Sequence, residues 1–310
     1  MLRRASSAAD DELRGTLALL ATIVTWGVTY ALSKVALRHL PASELAFVRQ
    51  AAALPPILWL AWRQRTFLLP VRYLLPLAAT GTIGFFLFAN LGLERASASV
   101  GALVQGIAPV LIAVFAVAFL RERLTGRIVA GIALALAGAA VLAWGAIHVT
   151  SALGLVFLFL SAASWSAYTV IGRSIGHRVT ALQATVLPVT LSVVVFAFGP
   201  LFEDWRPGGT GPLVLAVALG FFGSGLAYVT WNFGIARVPA ARAGVYSNLV
   251  PVVALLVAWL ALGESVGWRQ ALGGAVVVLG ALLASWRGPF SRAAPSITVE
   301  RCEASGSRRP

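Results

Sequence analysis

Long apolar stretches alternate with short polar, Arg-rich clusters along the whole chain. Ten such stretches stand out, near 15–35, 43–61, 73–91, 98–120, 127–146, 152–172, 180–199, 212–234, 241–262 and 268–286. Each is close to the ~20 residues that cross a hydrocarbon core about 30 Å thick. Gly and Pro recur within them, which argues against membrane strands. Helices tolerate both where neighbouring helices or water satisfy the freed backbone groups. The pattern predicts an all-α membrane protein with ten transmembrane helices.

Composition supports that reading. Hydrophobic residues make up 59% of the 310 and charged residues 11%, against about 45–50% and roughly 25% in soluble domains. Mean hydropathy is +0.87. The first stretch follows Asp10, Asp11 and Glu12 and is full length, which does not fit a cleavable signal peptide. It is expected to stay as the first membrane helix. A single Cys, Cys302, lies in a polar tail, so neither a disulfide framework nor a thiolate metal cluster is expected, and no cofactor is implied.

The net charge of +13 belongs to the membrane, not to nucleic acid. Basic residues concentrate on the cytoplasmic flanks of membrane helices. With the N-terminus inside, 18 of the 24 basic residues fall in inside segments. The other six are Lys34, Arg38, Arg49, Arg95, Arg206 and Arg269. Ten spans return the C-terminus to the same side. The expectation is a bacterial inner-membrane protein with both termini cytoplasmic, a tail at 1–14 and a disordered tail at 287–310. Its partners are then lipid and a small-molecule substrate; the oligomeric state is open.

The chain also repeats itself. Residues 90–139 match 232–281 without a gap at 14 of 50 positions. The matches include Asn90/Asn232, Gly92/Gly234, Arg95/Arg237, Pro109/Pro251, Glu122/Glu264, Gly131/Gly273 and Gly138/Gly280. Upstream, Trp26 aligns with Trp165 and Lys34 with Arg173 at a shift of 139. This predicts two five-helix repeats, 15–146 and 152–286. An odd number of spans per repeat sends the second copy in from the opposite side, so the halves are expected to be inverted. Inverted repeats recur in secondary transporters, with the solute site near the midplane between the halves.

Three quoted stretches now carry a resemblance. WGVTYALSKVALRHLPASELAFVRQ and ALVQGIAPVLIAVFAVAFLRERLTGRIVAGIALALAGAAVL in the first half, with GVYSNLVPVVALLVAWLALGESVGWRQALGGAVVVLGALL in the second, resemble the EamA family of the drug/metabolite transporter superfamily. The set includes Trp26-Gly27, Lys34, Pro41 and Arg49, then Pro and Glu thirteen apart in each half, Pro109/Glu122 and Pro251/Glu264. The resemblance implies a ten-helix inner-membrane carrier, often an exporter of amino acids, nucleosides or other small metabolites. The second half departs from the early pattern, since Pro188 stands where the first half has Arg49.

Candidate substrate-binding residues follow from depth and symmetry. Trp26 and Trp165 lie about 11–13 residues into their helices, roughly 16–20 Å, close to the midplane. Tyr30 and Tyr168 share their faces; Tyr228 and Tyr246 lie on helices eight and nine. Trp231, with the other tryptophans near helix ends, reads as an interfacial anchor. Pro109 and Pro251 are expected to kink helices four and nine, freeing the carbonyls of Gln105 and Ser247. Gln105, Ser247 and Asn248 add polar side chains there, and Asn90 and Asn232 are repeat mates. These residues are expected to converge on a central cavity suited to an amphipathic or ring-bearing solute. Arg49, about six residues into helix two, needs an interhelical acceptor, a lipid headgroup or a substrate anion. Glu122 and Glu264 read as loop charges, and Glu44 is the one carboxylate near the membrane, which points to a facilitative carrier. His39, His148 and His177 are scattered, and no metalloprotease, phosphate-loop or paired-carboxylate motif occurs, which argues against an enzyme. The alternative class is a lipid-moving or lipid-modifying membrane protein.

Overall fold

The computed structural model describes residues 2–36, 39–66, 70–93, 95, 104–142, 151–205, 209–262 and 267–285, and these contain helices and connecting turns but no strand. In chain order the helices are α1 (Leu2–Ala36), α2 (Ala42–Gln64), α3 (Val71–Leu77), α4 (Phe85–Leu93), α5 (Ala108–Leu120), α6 (Gly126–Leu142) and α7 (Ala152–Ile175). They continue as α8 (Gln183–Phe196), α9 (Thr210–Leu219), α10 (Ala227–Ile235), α11 (Ala240–Ser247), α12 (Val250–Leu262) and α13 (Trp268–Ser285). A π-helical turn, Ala78–Gly84, joins α3 to α4, and a second, Gly220–Leu226, joins α9 to α10.

Among the described residues, five helical stretches are long and apolar enough to cross a membrane: Ser43–Gln64, Val71–Ala89, Ala152–Ile175, Gln183–Leu201 and Thr210–Ile235. Ala108–Leu120, Gly126–Val141 and Ala271–Ala284 are shorter apolar helices. Their outer faces carry exposed large apolar side chains, among them Val214, Phe119 and Leu282, which is the surface that lipid covers.

Two expectations are revised. Helix α1 begins at Leu2, so residues 2–14 are helix, not a loose tail. Asp11 Oδ1 accepts from Arg237 Nε at 2.9 Å, and Glu12 pairs with Arg242, which ties this extension down. The tail at 287–310 lies outside the described residues. The prolines do not kink continuous helices. Pro109 is the second residue of α5 and Pro251 the second of α12, where a missing N–H costs no helical hydrogen bond. The bends are helix breaks just before them, at Gly106–Ile107 and Asn248–Leu249.

The element bounds repeat. The two π turns are related by 78 + 142 = 220 and 84 + 142 = 226. The same shift carries α4 onto α10 and α5 onto α12, since 85 + 142 = 227 and 108 + 142 = 250. Helices α6 and α13 pack closely through small residues. A Cβ added at Gly131 would stand 2.7 Å from the Gly280 carbonyl oxygen, and one at Gly138 would stand 2.7 Å from that of Gly273. The facing pairs run in opposite order, so the two helices are antiparallel. Such small-residue faces let helices approach in lipid, where apolar burial gives no drive.

Candidate functional site: a buried aromatic cage

Where α1, α7 and α10 meet, aromatic side chains converge. Trp26 stands 5.1 Å from Trp165 edge-on, 5.8 Å from Tyr228 and 5.2 Å from Trp231, by ring centroids. Trp165 lies 5.4 Å from Tyr168 and 5.2 Å from Trp231, and Tyr168 lies 6.0 Å from Tyr228. Pairs in this range add about 0.5–1.5 kcal/mol beyond their buried area. Trp165, Tyr168, Tyr228 and Trp231 are buried and Trp26 is half-buried.

The backbone of the π turns meets this cage. A π turn widens the helix and is frequent at functional sites. Trp26 Nε1 donates to the Gly223 carbonyl at 2.9 Å, and Tyr228 Oη donates to the Gly81 carbonyl at 3.4 Å. Gly81 and Gly223 are repeat mates, since 81 + 142 = 223. Each turn presses a glycine on the partner half. The Tyr168 ring abuts Gly81, and Thr29 abuts Gly223; these too are mates, since 29 + 139 = 168. A side chain at either glycine would collide with its neighbour.

Polar groups rim the cage. Asn232 is buried and its Nδ2 donates to Tyr168 Oη at 2.7 Å and to Thr185 Oγ1 at 3.0 Å. Among the described residues its Oδ1 and the Trp231 Nε1 have no hydrogen-bond partner. Asn248 is buried at the second helix break with its Nδ2 likewise unpartnered. Ser247 Oγ donates back to the Gly244 carbonyl at 2.6 Å, a local bond within the helix end. Tyr246 is buried in the main core. Gln105 is half-buried before the first break. Among the described residues no hydrogen bond or ring contact joins Gln105 or Asn248 to the cage. Tyr30 and Asn90 lie on α1 and α4, but their side chains are outside the described residues.

Two things escaped sequence reasoning. Trp231 is fully buried within the cage, not an interfacial anchor. Its position near the end of an apolar stretch misled. The extended α1 covers that end, with Gly15 against Arg237 and Leu19 against Gly234. The available signal was its spacing of three from Tyr228, which puts both on one helical face. Glu122 is not a free loop charge. Its Oε1 accepts from the Ala240 N–H at 3.2 Å and lies 3.6 Å from Arg173 Nε. Arg173 Nη1 donates to the Ala236 carbonyl at 2.6 Å. These contacts close the end of the bundle where α1 starts. At the opposite end, Glu203 Oε2 accepts from Ser43 Oγ at 2.5 Å and Trp205 Nε1 donates to that same hydroxyl at 2.7 Å.

A helical bundle with an apolar outer surface and several helices long enough to cross a bilayer defines a multi-pass membrane protein. The EamA-like transporter family matches residues 13–144 and again 152–286, and the chain belongs to that family: it is a membrane transporter. It is 29% identical over 279 residues to a probable terminal-alkyne amino-acid exporter of Streptantibioticus cattleyicolor, covering 87% of this chain and 93% of that one. It is 27% identical over 281 residues to a probable amino-acid metabolite efflux pump of Escherichia coli, covering 86% and 92%. A solved crystal structure at 24% identity superposes with a TM-score of 0.80, over 87% of this chain and 96% of the other, and shares the fold.

Proposed function

We propose that this chain is a ten-helix secondary transporter. It exports or exchanges small metabolites such as amino acids, by alternating access between two inverted five-helix repeats, 15–146 and 152–286. It sits in a bacterial inner membrane with both termini cytoplasmic. The observation that carries the reading is the antiparallel contact of α6 with α13, Gly131 on Gly280 and Gly138 on Gly273. Helices that are copies of one another and run in opposite directions are what inverted repeats require. Similarity to a probable terminal-alkyne amino-acid exporter and a probable amino-acid metabolite efflux pump supports the solute class.

In this reading the cage, with Trp26, Trp165, Tyr168, Tyr228 and Asn232, holds the solute. The breaks before Pro109 and Pro251 give each half a bending point. The Glu122–Arg173 contact closes the cytoplasmic end. The 18-to-6 division of basic residues supports the sidedness, and a membrane-impermeant maleimide should reach the single thiol, Cys302, only from the cytoplasmic face. The test is solute counterflow. Proteoliposomes preloaded with a mixture of amino acids should take up labelled amino acid transiently above equilibrium. Liposomes that show no counterflow with any preloaded metabolite, yet redistribute labelled lipid between leaflets, would assign the lipid-moving reading instead.

A further inference from the structure

The crossing of a second helix over a π turn is built twice in this molecule. Helix α2 crosses the turn Gly220–Leu226: Gly220 abuts Arg49 and Ala52, and Gly225 abuts Ala53. Helix α8 crosses the turn Ala78–Gly84, where Thr82 Oγ1 donates to the Pro188 carbonyl at 2.9 Å. The two crossings correspond residue by residue, since 49 + 139 = 188, 50 + 139 = 189 and 82 + 142 = 224.

Their contents differ in one direction. At the α8 crossing stand Pro188 and Val189, both apolar, and Thr82, whose hydroxyl is satisfied. At the α2 crossing the same positions hold Arg49, Gln50 and Ser224. Gln50 is 1% exposed and Ser224 0%. Neither amide atom of Gln50, nor Ser224 Oγ, has a hydrogen-bond partner among the described residues. Buried polar groups without partners are costly. The scaffold does not demand them here, because the same packing closes with Pro, Val and a satisfied Thr.

The polar crossing is also the wall of the cage. Arg49 Nη2 would stand 3.3 Å from a Cβ at Gly223, beside Thr29. The carbonyl of that same glycine holds Trp26 Nε1 at 2.9 Å. A guanidinium presents a planar fork of donors that matches a carboxylate, and a hydroxyl and an amide supply further donors.

We propose that Arg49, with Ser224 and Gln50, forms an anion subsite that takes the carboxylate of the solute while the aromatic cage takes its apolar body. This rests on the transporter reading and narrows it. The solute is a small carboxylate or zwitterion on an apolar or ring-bearing body. An amide or amine of the same shape is bound more weakly.

The test uses the full chain in phosphatidylcholine nanodiscs, free of anionic lipid, with three probes of matched body: 3-phenylpropionate, 3-phenylpropionamide and phenethylamine. Saturable change in tryptophan fluorescence reads binding directly, because the cage holds Trp26, Trp165 and Trp231. The carboxylate should bind at least about tenfold more tightly than the other two, the difference one charge-assisted pair provides. Arg49→Gln should weaken it by a similar factor and Arg49→Lys by less. Gln50→Val, which installs the residue of the mate position, should weaken binding while leaving the thermal midpoint unchanged or higher. Equal binding of carboxylate and amide, no saturable binding of the carboxylate, or unchanged affinity in folded Arg49→Gln protein would each overturn the proposal. So would a Gln50→Val protein that loses stability and keeps its affinity. Counterflow of solutes that lack an anionic group would remove the subsite and leave the carrier reading standing. Carboxylate-selective binding with no counterflow would do the reverse.

Discussion

Glycine sets the closest approaches in this bundle. At Gly138 an added Cβ would meet the Gly273 carbonyl oxygen, the Val277 amide nitrogen and Val277 Cγ2, all at 2.7 Å. Two of these are backbone atoms, which cannot rotate away. At Gly126 nothing lies within 4 Å. Gly138→Leu should therefore destabilise by at least the ~1–3 kcal/mol typical of overpacking, read as a lowered thermal midpoint in detergent. Gly126→Ala should leave the midpoint unchanged. Gly131, Ala135 and Ala139 recur every fourth position in the sequence, a spacing that puts them on one helical face. Burial is harder to read. Trp26 and Trp165 were placed by depth from a helix end, and Tyr168 by sharing a face with Trp165; depth is a guide only where lipid is the sole covering. It failed for Trp231, whose helix end is covered by protein.

At the scale of elements, hydropathy located the five stretches that, among the described residues, are long and apolar enough to cross a membrane, but not the breaks and widenings within them. A π turn inserts one residue into the helical ladder, and the stretch stays apolar throughout. The mark it left is glycine: Gly81 and Gly84 in one copy, Gly220, Gly223 and Gly225 in the other. The prolines of α5 and α12 were visible, but a proline does not say whether a helix bends or restarts. The turn Gly220–Leu226 sets the rotation of α10 and so aims Tyr228, Trp231 and Asn232. Deleting Phe222, which is exposed, should restore the α-helical register and rotate α10 by about 100° relative to α9. The cage would then open. The expected outcome is loss of counterflow and a red-shifted tryptophan emission in protein that still inserts. Phe222→Ala, which keeps the chain length, should retain both properties. A fully active deletion variant would show that the π turn does not aim the cage.

Across the whole molecule, charge is sorted by level. Asp11, Glu12 and Glu122 are paired with Arg237, Arg242 and Arg173 at the end where α1 starts. Partly exposed pairs of this kind are worth about 0.2–1 kcal/mol each, weak enough to open and close during a transport cycle. Glu203 is held by Ser43 at the other end. Proton-driven carriers place an ionisable group within the membrane, where access from each side changes its protonation. Among the described acidic residues, Glu44 is the one that fits. It lies in the first turn of α2, is buried, and its Oε2 has no partner among the described residues. A residue in a first turn lies within about one turn of the helix end, and Glu44 precedes Arg49, at the wall of the cage, by five residues. Coupling through it would need a proton path of more than one helical turn along α2 to reach the solute. The expected behaviour is therefore facilitative: solute moves down its own gradient or exchanges for another. In proteoliposomes, an imposed pH gradient should not drive accumulation above the external concentration, and Glu44→Gln should retain counterflow. Accumulation that follows the pH gradient and disappears in Glu44→Gln would make Glu44 the coupling site and refute the facilitative reading. Accumulation that persists in the variant would refute it as well, and would move the coupling to the charge on the solute.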